Sequence, residues 1–222
     1  MSKPDESSPV RPPSQLGFPF ADRDRTFTEA VSLLGANREP TELDDGVAAA
    51  ADAFAQEAAT FIAGTEAVAS GVNPGSAVSL LMLQLSSLLA HGARLGAQED
   101  FVPSGSWEPD AGDEPEIDEL RLALRGQLDP VDEYQEVFDP YVREEVVTSH
   151  LSDDLAAITG TLLHGLAHYA AGRAVEALWW WQYSYIADWG ATASAALRAV
   201  QSLVSHVRLG NPMGEPGDQT WL

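Results

Sequence analysis

The sequence predicts an all-α protein, a helical bundle built from two antiparallel long-helix hairpins plus short helices, with disordered tails. Three observations carry that prediction. Apolar residues recur at steps of three and four over several long segments, the period of a helix with one buried face. Turn residues stand where such segments would reverse, Gly172 in one place and the Asn73-Pro74 pair in the other. Period-two alternation is nowhere sustained, so no strand is expected.

Taken in order, residues 1–24 hold Pro4, Pro9, Pro12, Pro13 and Pro19 among Ser and charged residues, too little apolar surface to fold. They read as a tail, and without the apolar stretch of a signal peptide they carry no export address. Residues 25–209 then form the expected single α-helical domain. A short helix is expected over 26–35 through Phe27, Val31 and Leu34. Leu43 to Val68 follows as the first long helix, with Val47, Ala51, Phe54, Ala58, Phe61 and Ile62 inward. Asn73 suits the N-cap and Pro74 the first position of the next helix, where a missing N–H costs nothing. Its buried stripe is Val78, Leu81, Met82, Leu85, Leu88 and Leu89. The stretch Leu80 to Leu89 is the most apolar in the chain, but Gln84, Ser86 and Ser87 break it and it is too short to span a bilayer. Core is therefore its expected place.

From Glu99 to Glu119 acidic residues gather with no Lys or Arg among them, interspersed with Pro and Gly. A mobile acidic loop is expected over about 99–116 on that composition. Ile117 to Leu128 reads as a short helix, and Tyr134 to Tyr141 as an ordered aromatic segment packed on the last hairpin. Residues 210–222 form a second tail.

The last hairpin, residues 149–209, organises the rest. Leu151, Leu155, Ile158, Leu162, Leu166 and Tyr169 form one stripe, with Ser152 as N-cap and Asp153 and Asp154 in the first turn, where carboxylates meet unpaired amides. Gly172 suits a left-handed cap at the far end. A second stripe through Leu178, Trp181, Tyr185, Trp189, Ala193, Ala196, Val200, Leu203 and Val207 then requires another long helix, packed antiparallel after so short a turn. Small residues such as Ala157, Thr161 and Gly165 on the first helix and Gly190 and Ala191 on the second allow close approach.

Three of the six Trp stand in a row, Trp179, Trp180 and Trp181. At about 100° per residue they fan over about 200° of helix surface, too wide for one packed stripe. With Leu178, Tyr185, Trp189 and Val200 as the core direction, Trp180 points away from it, together with Tyr183, Ala187, Ala191, Ser194 and Arg198. Either another helix covers Trp180 and Tyr183, or they form an exposed aromatic patch of the kind that marks a binding surface.

These residues carry a resemblance. Tyr134, Phe138-Asp139-Pro140, Asp153-Asp154-Leu155, Ile158, Gly165-Leu166, Tyr169, Gly172-Arg173, Glu176-Ala177-Leu178-Trp179, Trp181, Trp189-Gly190 and Ala196-Leu197-Arg198 together resemble the bacterial family of domain of unknown function 5063, in particular its actinobacterial branch, over roughly residues 45–208. The resemblance implies an all-helical cytoplasmic protein and brings no activity, cofactor or catalytic residue with it. Locally, Gly165, His168-Tyr169, Gly172 and Ala177-Leu178 at residues 163–189 resemble one tetratricopeptide hairpin. The second helix runs past the end of such a repeat, and no second copy is found.

Composition narrows the function. The chain has 222 residues, 34 acidic against 12 basic, and a formal charge of −22. Such a field repels nucleic acid and anionic membrane surfaces, so neither is an expected partner. A basic protein partner is the functional reading of the acidity, and solubility the plain one. The absence of Cys rules out disulfides, thiolate metal sites and cysteine nucleophiles. His164 and His168 sit four apart on one helix face, a spacing that suits a shared metal with Asp188 or Glu176, but residue 165 is Gly, where a zinc peptidase has Glu. Asp153-Asp154 and Glu144-Glu145 read as helix-start or surface charge, and Ser149-His150 lacks a nucleophile elbow. No phosphate-binding glycine loop is present, so no cofactor is expected.

Three functions follow. The first is a non-catalytic cytoplasmic interaction module whose partner meets Trp180, Tyr183, Ala187 and Arg198. The second is a small-molecule binder with a pocket of Tyr169, Trp179, Trp181, Tyr185 and Trp189. The third is a metal-dependent hydrolase at His164 and His168.

Overall fold

The computed structural model describes residues 45–105, 109, 111–112, 115–137, 141 and 146–210. The tails, the helix expected over 26–35 and part of the acidic loop lie outside the described residues. Along the chain come α1 (Asp45–Ala69), a 3-10 turn (Pro74–Ser76), α2 (Ala77–Gly96), α3 (Asp118–Leu128), β1 (Glu133–Val137), β2 (Val146–His150), α4 (Leu151–Ala170), α5 (Ala174–Ser184), a π turn (Tyr185–Trp189) and α6 (Gly190–Leu209).

Each long helix forms because its apolar residues fall on one face. In α1, Ala51, Phe54, Ala58, Phe61, Ile62 and Val68 are buried, and in α2 the buried row is Leu81, Leu85, Leu88, Gly92 and Leu95. α1 and α2 pack on each other, α4 packs on α5, and α6 lies along α2, so the two hairpins share one core. Each large apolar side chain taken out of water there contributes about 1.5–3 kcal/mol. Asn73 makes no side-chain cap, and Pro74 opens a 3-10 turn before α2. The span Pro74–Gly96 is long and apolar enough to cross a membrane by length and composition, which the shorter Leu80–Leu89 stretch had not suggested. Its Leu81, Leu85 and Leu88 are nonetheless fully buried among the other helices.

One element departs from the all-helical expectation. β1 and β2 form a two-stranded antiparallel ribbon, with Glu133 opposite His150 and Val137 opposite Val146. Each strand has five residues and only one half-buried face, so the alternation is too short to stand out from the helical background. The β-branched run Val146-Val147-Thr148 was the available signal.

The ribbon runs straight into α4, and this changes the cap. The helix begins at Leu151, so Ser152 sits inside the first turn rather than at the N-cap. The cap comes from Asp132 at the foot of β1. Its carboxylate accepts from the Ser152 amide at 2.7 Å and from the Ser152 hydroxyl at 2.8 Å. The Leu151 amide also donates to the Asp132 backbone carbonyl at 2.9 Å, so two orphan amides of the helix start are satisfied by one residue about 20 positions away, which no local pattern specifies.

Beside it, the Tyr134 hydroxyl donates to Asp154 at 2.7 Å, and the Ser149 hydroxyl donates to Glu136 at 2.8 Å. Burial pushes the Asp154 carboxyl up to about 6, the Tyr134 hydrogen bond opposes that shift, and Glu136, Asp153 and Asp132 reinforce it. Burial and the same bond to Asp154 also raise the Tyr134 phenol. Arg121, Arg125 and His150 approach Asp153, and Arg125 also approaches Asp132, at 3.4–3.6 Å.

Candidate interaction site

The hairpin turn is built as the sequence requires. Gly172 has φ +77°, and the amides of Gly172 and Arg173 donate back to Tyr169 and His168 at 3.0 Å. α5 therefore folds back along α4, and what matters next is where each aromatic residue of α5 goes.

Trp181 goes inward. It is fully buried, its ring centroid is 4.9 Å from Phe54, and its indole N–H donates to the Leu162 carbonyl at 3.3 Å. Gly165 makes the room: a Cβ there would lie 2.0 Å from the Trp181 indole nitrogen.

Trp189 shares the same core, 6.2 Å from Phe54. Trp181, Tyr185 and Trp189 follow at two successive steps of four, which on a regular helix drift by about 80°. The π turn takes up that drift, with the Gly190 amide reaching back to the Tyr185 carbonyl. Glycine is required there because a Cβ would sit 2.4 Å from that carbonyl oxygen. Tyr185 nests against Gly92 and Gly96 of α2, where a Cβ would come within 2.6 and 2.9 Å of its ring.

Trp180 and Tyr183 do not travel together, contrary to the helical-wheel reading. Trp180 is half-buried against α4, its N–H donating to the Thr161 carbonyl at 2.9 Å and its ring 4.1 Å from that of His164. The wheel had counted Tyr185, Trp189 and Val200 across the π turn, which shifts the phase. The outward pole of α5 is Tyr183 with Trp179 beside it, their rings stacked at 5.9 Å and 12°.

Trp179 and Tyr183 line a hollow of about 330 Å³ with Ile186, Ala187 and the segment Asp100–Pro103. Its rim is apolar and exposed: Tyr183 is 53% exposed, Ile186 65% and Val102 77%. Gln182, which the sequence did not single out, holds the far wall. Buried under the hollow, it donates to the Leu95 carbonyl at 2.8 Å and accepts from the Phe101 amide at 3.0 Å. One amide thus caps the end of α2 and pins residues 98–101 to α5.

The remaining candidates lie elsewhere. Ala187 borders the hollow, while Arg198 is exposed on α6 and lines a different groove. Of the five residues proposed for a ligand pocket, Trp181 and Trp189 fill the core, Tyr185 packs on α2, Tyr169 donates to Asp52 at 2.7 Å, and Trp179 alone borders the hollow. His164 and His168 stand edge to face at 5.1 Å, and His168 is fully buried. Among the described residues no group of three or more His, Asp or Glu is placed to hold a metal ion.

The helical fold is shared with the crystal structure of protein BF1032 from Bacteroides fragilis, at a TM-score of 0.58 and 19% identity, covering 73% of this chain and 94% of that one. No curated protein matches the chain. The core that joins both hairpins spans almost the same residues as a family match: positions 46–206 fit the model of the domain of unknown function DUF5063, and the chain belongs to that family.

Proposed function

We propose that the protein is a non-catalytic cytoplasmic interaction module that docks a partner protein on the hollow beside Trp179. The observation that carries this reading is the contiguous exposed rim of Val102, Tyr183 and Ile186 around a partly buried Trp. An aromatic residue in a pocket with an apolar rim is the usual make-up of an interface hot spot, because its burial excludes water over a large area. Asp100 at the edge and the charge of −22 favour an occupant that brings apolar side chains flanked by Lys or Arg.

The test is crosslinking and affinity recovery from the native host, with wild type beside a Tyr183→Ser, Ile186→Ser variant. Both positions are exposed, so the variant keeps its fold, which circular dichroism verifies. A stoichiometric partner that the folded variant loses supports the reading. A partner retained by the variant, or no partner at all, sinks it.

A further inference from the structure

A larger groove, about 880 Å³, lies between β1 and α6. All five residues of β1 line it, together with Val146 of β2 and, on the helix, Ala195, Arg198, Ala199, Ser202, Leu203 and His206. Successive side chains of a strand alternate between its faces, so a groove that meets five consecutive residues runs along the strand's edge. That edge is the one turned away from β2, which contributes only its first residue. In an antiparallel ribbon alternate residues turn their N–H and C=O outward. Among the described residues none of these outward groups of β1 has a hydrogen-bond partner.

The two walls are similar in length. Glu133 to Val137 spans about 13 Å, and the rise from Ala195 to His206 is about 16 Å. We propose that the groove receives an extended segment of a partner polypeptide, added to β1 as a third strand. Its inner side chains are small or apolar, against Ala195, Ala199 and Leu203, and a basic residue on its outer face lies beside Glu133.

Charge selects that occupant. Glu133 is exposed and Glu136 half-buried on the strand, and opposite charges side by side on adjacent strands stabilise the pair. A second copy would instead bring the same acidic strand, with its own Glu133 and Glu136, alongside this one, and like charges on adjacent strands are destabilising. Arg198 and His206 lie on the helix wall, so the basic residue belongs on the strand side. The proposal is independent of the Trp179 hollow.

The probe is a fluorescent ten-residue peptide of alternating Lys and Val, titrated into the full chain at low salt up to millimolar concentration. Controls are the same peptide N-methylated at alternate amides and an alternating Glu-Val peptide. The expected result is saturable binding with amide shifts along β1, weakened at least tenfold by N-methylation and by the Glu-Val sequence. Ser202→Trp fills the groove from an exposed position and abolishes binding, whereas Tyr183→Ser leaves it unchanged. Glu133→Lys moves the preference toward the Glu-Val peptide. No β1 shifts, equal binding of the N-methylated peptide, or indifference to Ser202→Trp in a folded variant overturns the proposal. Self-association that Ser202→Trp removes also overturns it, since the occupant is then a second copy.

Discussion

Trp181 and Tyr183 are two residues apart on α5 and have opposite surroundings. Trp181 is fully buried, held by Phe54 on one side and by the space over Gly165 on another. Tyr183 keeps more than half of its surface in water and rests on Trp179. An aromatic residue is driven out of water by its area, but whether it gets there depends on what faces it. On the inner side a glycine leaves a vacancy of indole width; on the outer side residues 98–101, pinned by Gln182, stop short of closing over the ring. The inner face of α5 is thus built for stability and the outer face left available for contact.

Substitutions on the two faces separate these roles, beginning with the largest effect. Trp181→Ala empties the core and is expected to cost about 3–5 kcal/mol in urea unfolding. A loss under about 1 kcal/mol would mean that the core closes without the indole. Gly165→Ala overpacks the same contact from the other side, at about 1–3 kcal/mol, and in the Gly165→Ala, Trp181→Ala double variant that overpacking disappears because the indole atoms that clash are gone.

Between the faces, Gln182→Leu leaves the Leu95 carbonyl and the Phe101 amide without their partner. It is expected to cost about 1–3 kcal/mol and to raise hydrogen exchange at residues 98–101. Unchanged exchange there would show that Gln182 does not hold the wall. The Tyr134–Asp154 bond gives a pH signature of its own. The folded carboxyl titrates at about 6, above the unfolded value near 4. Between those values the folded chain keeps a proton that the unfolded chain has released, so this group's contribution makes stability fall as pH rises through that window. Asp154→Asn keeps an acceptor for Tyr134 and removes this part of the slope. Identical melting profiles at pH 4.5 and 7 for wild type and variant would place the slope in another group.

The smallest effect belongs to the outer face. Tyr183→Ser should shift stability by no more than about 0.5 kcal/mol while removing the proposed partner contact. A large loss of stability would reclassify Tyr183 as core.

Much of the bundle is legible in the sequence. The rows Phe54-Ala58-Phe61 and Leu81-Leu85-Leu88 are buried at the spacings that defined their helices, and Gly172 has the positive φ required of it. The candidate site was legible in part. The outward direction of Tyr183 and Ala187 follows from the helical period, but that of Trp180 does not hold, because the π turn Tyr185–Trp189 shifts the phase of the core residues beyond it. Its trace was present in the two successive steps of four from Trp181 to Trp189. Gln182 left no trace, since a polar residue next to a Trp gives no sign of being buried.

The sequence by itself determined the helices, their buried faces, the turn at Gly172 and the acidity. These depend on period, backbone freedom and composition, all of which are local or additive. Tertiary structure alone decided that Asp132 caps α4, that Gly92 and Gly96 receive Tyr185, that Gln182 ties α2 to α5 and that β1 and α6 flank one groove. Each of these joins residues from separate elements, and such pairings are set by which surfaces meet once the faces pack, a choice that no local pattern contains.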